Sequence, residues 1–79
     1  MEEIENLNES YTQLNDRAKT GDVDAIFQLG LLYWEGNNEV KPDINEAARL
    51  IKEAKHNGHP VADFYDDIIN AFIEEMENV

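Results

Sequence analysis

The chain of 79 residues has no cysteine, a single serine at Ser10, two prolines, four glycines and only six basic residues. The absence of cysteine excludes a disulfide scaffold, a thiolate zinc site and thiol chemistry. No apolar run approaches the ~20 residues that a membrane span requires. The opening Met1-Glu2-Glu3 is acidic where a signal peptide is basic. These absences predict a soluble, cytoplasmic protein. The length allows one domain, and a chain of this size buries roughly 60% of its unfolded surface. Little room is left for an enclosed cofactor or a deep catalytic cleft. A hydrophobic content of 42%, with one Trp, three Tyr and three Phe, argues against disorder.

Against the few bases stand 18 acids, for a net charge of −12. Residues 1–16 carry five acids and no base, and residues 56–79 carry six acids and no base. The middle of the chain, residues 17–55, holds seven acids and all six bases, so it is nearly neutral. Direct binding to a nucleic-acid backbone or to anionic lipid is disfavoured. Attraction to a basic protein is favoured.

The spacing predicts four helices over approximately 2–19, 22–35, 43–57 and 60–77, with no strand alternation. In the first, Ile4, Leu7, Tyr11, Leu14 and Ala18 form one stripe. Gly21 ends it, and Asp22 caps the second, which stops at Gly36. Asp43 opens the third, with Glu46 placed to complete a capping box. Ile44, Ala47, Ala48, Ile51 and Ala54 face one way along it, and Gly58 terminates it. Pro60 is expected in the first turn of the fourth helix, where its missing N–H is harmless. The expected fold is all-α: four antiparallel helices arranged as two stacked helical hairpins.

Overlaying the chain on itself at an offset of 37 residues pairs Gly21 with Gly58, Ala25 with Ala62 and Phe27 with Phe64. It also pairs Leu14 with Ile51 and Leu31 with Ile68. A period in the thirties with two helices per unit marks a helical solenoid. The run Ala25-x-x-x-Leu29-Gly30-x-x-Tyr33-x-x-Gly36, then Val40-x-x-Asp43-x-x-x-Ala47, then Ala54-x-x-x-Gly58-x-x-x-Ala62, resembles a Sel-one-like repeat. That family, related to the tetratricopeptide repeat, builds right-handed superhelices that serve as protein-interaction scaffolds. The resemblance spans residues 21–62. Gly30, Ala47 and Ala54 would permit a close helix crossing. Asp66 and Asp67 stand where the first unit has Leu29 and Gly30, so the second unit departs from the pattern. The acidic first and fourth helices suit the ends of a miniature solenoid.

Two faces are candidates for function. On the second helix, Ala25, Ile26, Leu29, Leu32 and Tyr33 form one apolar stripe, and Phe27, Leu31 and Trp34 another on the opposite side. Either this helix lies between the other three, or Trp34 is partly exposed and anchors a partner. On the fourth helix, Val61, Tyr65, Ile68, Ile69, Phe72, Ile73 and Met76 fall on one broad side. Asp63, Asp66, Asp67, Asn70, Glu74 and Glu77 fall on the other. That row either keeps the protein soluble or recognises Lys and Arg of a partner. Like charges at i, i+4 cost an isolated helix a few tenths of a kcal/mol per pair. Glu2, Glu3, Glu5, Glu9 and Asp16 would extend the field. Carboxylates crowded in this way are expected to have raised pKa values.

Other chemistry has little support. His56 and His59 straddle the helix-ending Gly58 and are poorly placed to share a metal. Asp43-x-Asn45-x-Ala47 lacks the ligands and central glycine of a calcium loop. Ser10 has no histidine nearby in sequence, and the glycines end helices without forming a phosphate loop. No catalytic, metal or cofactor residue is therefore expected. The leading reading is a small acidic interaction module that binds and neutralises a basic protein, of the immunity-protein or antitoxin type, and is monomeric when free. The partner-binding residues would be Asp63, Asp66, Asp67, Asn70, Glu74, Glu77 and Trp34. The alternatives are a nucleic-acid-mimicking inhibitor, as in some phage-encoded anti-defence proteins, and a structural or assembly adaptor.

Overall fold

The computed structural model describes residues 10–77. Four helices follow in order: α1 (Tyr11–Lys19), α2 (Val23–Glu35), α3 (Ile44–His56) and α4 (Ala62–Glu77). No strand occurs among the described residues, and none of their helices is long and apolar enough to cross a membrane. Each helix packs on the next in the chain, α1 on α2, α2 on α3 and α3 on α4. The molecule is all-α, a stack of antiparallel helical hairpins.

Local chemistry sets the helix ends. Ser10 adopts extended backbone geometry, its hydroxyl accepts from the Gln13 N–H, and the Gln13 side chain accepts from the Ser10 N–H at 3.0 Å. This reciprocal box satisfies two donors that a helix start leaves unpaired, and it starts α1 at Tyr11. The continuous helix expected over 2–19 is therefore corrected, because the chain turns out of helical geometry at Ser10. Positions 2–9, with Glu2, Glu3, Glu5 and Glu9, lie outside the described residues.

Asp22 and Asp43 cap α2 and α3 as expected, accepting from the Ala25 and Glu46 N–H groups. The reciprocal half of the Asp43–Glu46 box does not form. The Asp43 N–H donates to the Tyr33 carbonyl at 2.7 Å, and the Glu46 carboxylate takes the Arg49 guanidinium, with Nε 3.0 Å away. At α4 the expected first turn is also displaced. Pro60 lies in a turn ahead of the helix, and the His59 Nδ1 accepts from the Val61 N–H at 3.3 Å.

The 37-residue self-similarity is physical. Gly21 and Gly58 both have φ of 91°, each following a residue near the right-handed helical region. The Asp22 N–H reaches the Arg17 carbonyl at 3.3 Å, and the His59 N–H reaches Ala54 at 3.0 Å. Both turns thus close α-helices with the same 6→1 bond and a left-handed residue that glycine adopts without strain. Ala25 and Ala62 are both fully buried, as are Leu14 and Ile51 nearly so.

The core runs along the helix seams and contains Leu14, Ala25, Ile26, Leu29, Leu50, Ile51 and Ala54. At Gly30 a Cβ would stand 3.0 Å from the Ile51 Cδ1 and Cγ1, so the missing side chain is what brings α2 and α3 together. Burying Ile51 contributes about 2–3 kcal/mol. The α2–α3 loop folds back on itself: the Asn37 Oδ1 accepts from the Glu39 and Val40 N–H groups at 2.8 Å, and Val40 is buried.

Candidate functional site

Two faces of α4 behave differently. Its inner face, Ala62, Asp66 and Ile69, is buried on the side that meets α3. Asp66 is only 2% exposed. The Lys55 Nζ lies 3.2 Å from its Oδ2, and the Lys52 Nζ lies 3.6 Å from its Oδ1. Assigning Asp66 to the outward acidic row is thus corrected. It is a buried anion held by two lysines of the neighbouring helix, and it makes no outward surface. The Asp66 carboxylate, and then that of Asp63, push the Lys55 ammonium above its ordinary pKa, because each favours the charged form.

The other expected residues lie on the surface. Asp63, Asp67, Asn70, Glu74 and Glu77 are exposed. Asp63 is drawn sideways, its Oδ1 3.2 Å from the Lys55 Nζ. Asp67, Glu74 and Glu77 make no ion pair among the described residues, and neither does Glu75. Asp16 on α1 is likewise exposed.

Trp34 is half-buried, which falls between the two readings of it. Its indole is met edge-on by Tyr65, with centroids 6.3 Å apart, and by Phe72 at 5.9 Å. Tyr65 in turn contacts Phe27 at 5.3 Å, and the His59 ring stacks on Phe27 at 4.1 Å. A row of rings therefore joins the second apolar stripe of α2 to α4. Such pairs add about 0.5–1.5 kcal/mol each beyond their buried area. The imidazole of His59 also reaches the Asp24 Oδ1 at 3.4 Å, so both its ring nitrogens have partners. No group of three or more His, Asp or Glu able to hold a metal occurs among the described residues.

The apolar side of α4 is wider than α3 and α2 together cover. Ile69 is fully buried, but Val61, Phe72 and Met76 are 45%, 48% and 59% exposed. The broad apolar side read from the sequence is thus only partly covered. Phe64, absent from the expected apolar set, is 64% exposed. Its position in the repeat gave a signal, since it corresponds to Phe27. Two open hollows lie along this outer side. One of about 450 Å³ is lined by Ile68, Ala71, Phe72, Glu74 and Glu75. The other, about 250 Å³, is lined by Leu31, Trp34, Glu35 and Tyr65, and its Trp34 contacts Phe72 of the first.

A third concavity lies between α1, α2 and the α2–α3 loop. It has a volume of about 500 Å³ and is lined by Tyr11, Tyr33 and residues 39–43 of the α2–α3 loop. The Tyr11 and Tyr33 hydroxyls are 3.1 Å apart. That bond, with burial and the nearby charges of Glu46 and Asp43, pushes the Tyr33 phenol up to about 12. The pair joins α1 to α2 through its side chains.

Comparison with protein families, with characterised proteins and with solved structures finds no match to this chain.

Proposed function

We propose that this chain is a small acidic protein-interaction module, a miniature solenoid of the Sel-one-like kind, that binds and neutralises a basic protein in the cytoplasm. It acts as immunity proteins and antitoxins do, by occupying its partner, and performs no catalysis. One observation carries this reading. Arg17, Arg49, Lys52 and Lys55 are all engaged in internal ion pairs. Of the outward carboxylates of α4, Asp63 shares Lys55, while Asp67, Glu74, Glu75 and Glu77 have no such partner among the described residues, on a chain of net charge −12. An anionic face of this kind raises encounter rates with a cationic protein, and the rate falls steeply with salt. The buried carboxylate, Asp66, faces Lys55 at 3.2 Å and Lys52 at 3.6 Å across the α3–α4 seam, which supports a structural role for it.

The test is recovery of a stoichiometric basic protein from the native host on the immobilised chain at low salt. Its release by salt, and the loss of its own activity when the chain is added, are the expected results. Recovery of no basic partner overturns the reading. Competition between the chain and a nucleic acid for that partner would move the reading to a nucleic-acid mimic.

A further inference from the structure

We infer that the outer side of α4, with Trp34 of α2 beside it, is the seat for an amphipathic helix whose apolar seam is bordered by Lys or Arg. The inference rests on the interaction-module reading and adds the place and chemistry of contact.

Three observations converge on it. The first is the internal repeat. Phe27 on α2 is 7% exposed because His59 and Tyr65, from the following unit, lie against its ring. Phe64 occupies the corresponding position on α4 and is 64% exposed, with only the edge of Tyr65 beside it among aromatic neighbours. The fold has thus built the α4 counterpart of a position that elsewhere receives a helix. The second is shape. Phe64, Ile68, Ala71 and Phe72 follow one another at spacings of four, three and one, a stripe on the outer side of the helix. It opens into the hollow of about 450 Å³.

The third observation is charge, and it selects the occupant. Glu74 and Glu75 line that hollow, and Glu35 lines the neighbouring one. Asp67, Glu74 and Glu35 border the stripe and Glu75 ends it, four residues after Ala71; none of the four is ion-paired among the described residues. A second copy of this chain would bring the same carboxylates against them, a repulsive arrangement. The molecule itself shows the attractive one. On the inner side of α4, α3 docks with an Ala-rich seam, while Lys52 and Lys55 reach Asp66 and Asp63. A cationic helix on the outer side repeats that chemistry, with groove-bound anchors at i, i+4 and i+7.

The test uses the full chain and a synthetic peptide of about 16 residues, with Leu at i, i+4, i+7 and i+11 and Lys at the bordering positions. Two control peptides carry Glu in place of Lys, or the same residues in scrambled order. Binding is read by Trp34 fluorescence and calorimetry. The expected result is a dissociation constant on the order of 10 μM at low salt, with neither control binding comparably. Phe64→Ser and Ile68→Ser weaken it by about tenfold or more. Glu74→Lys with Glu75→Lys weakens it at low salt and not at high salt. Circular dichroism checks that each variant keeps its helices, and the two exposed glutamates provide the reading if an apolar variant unfolds. Equal binding of the scrambled peptide, or indifference to all four substitutions, overturns the inference while leaving the interaction-module reading intact. A dimer of the free chain that Phe64→Ser dissociates also overturns it, in favour of a second copy. Failure to bind any cationic peptide, together with no basic partner in the host, removes both.

Discussion

The Lys55 ammonium stands 3.2 Å from the Asp66 carboxylate across the α3–α4 seam, and Asp66 is the buried charged residue among those described. The two partners are unequal: the lysine side chain is 37% exposed and that of Asp66 3%. A cation left alone here is still hydrated, whereas the anion left alone is not. Asp66→Leu is therefore expected to be neutral, or stabilising by up to about 1 kcal/mol, since an apolar residue of similar size suits a site that Leu29 fills in the first unit. Lys52→Met with Lys55→Met is expected to lower the denaturation midpoint further than Asp66→Leu does. Urea titrations of the variants check the order, and the reverse order contradicts the burial argument.

At Gly30 two effects compete. Alanine gains about 1 kcal/mol of helix propensity over glycine. Its Cβ, however, would lie 3.0 Å from two side-chain carbons of Ile51 and 3.3 Å from the Ile51 backbone nitrogen. Ile51 is fully buried and cannot swing away, so overpacking of about 1–3 kcal/mol wins. Gly30→Ala is expected to destabilise by on the order of 1 kcal/mol. Combining it with Ile51→Val, which deletes the nearer methyl, should give less than the sum of the two single losses. Additive losses would show that the seam yields elsewhere.

The Tyr33 phenol, held up to about 12 by its bond to the Tyr11 hydroxyl, has its neutral form favoured in the fold. Its contribution is complete below the ordinary phenol value of 10 and is lost as pH rises from there through about 12. Absorbance titration should show one tyrosine ionising late in the native protein. In Tyr11→Phe that step should move back toward 10, the ordinary value. An unmoved step would mean that burial, and not the hydroxyl pair, holds the proton.

The acid limb runs the other way. The Ala25 N–H, and then Arg17, hold the Asp22 carboxyl below its ordinary value. Arg49 does the same for Glu46. A lowered carboxylate stabilises the fold above its ordinary range and loses that contribution as pH falls through the lowered value. The melting temperature is thus expected to fall below about pH 4. Asp22→Asn keeps the cap and should flatten that decline. An acid limb as steep as that of the parent chain would exclude Asp22 as a cause.

Much of the architecture is legible in the sequence. Asp22, Asp43, Gly21, Gly36 and Gly58 act locally, through a side chain or a φ value within a few residues of their own position, so they can be read in sequence. The corrected positions share a different feature. At Ser10 the apolar stripe continues past the cap, while the hydroxyl and Gln13 carry the local stop signal. The charge of Asp66 points outward, whereas its correspondence to Leu29 marks a core position. Phe64 was likewise marked by Phe27, and it is exposed because no described helix covers it.

Composition and periodicity determined the helical class, the punctuation, the duplication at 37 residues and the anionic character, since these depend on residue type and spacing alone. Tertiary structure decided which carboxylate is buried, which lysines hold it, and which apolar side of α4 stays open. The reason is geometric. A helix has more apolar arc here than its neighbours can cover, and only their placement in space determines which part meets a lysine, a ring or water.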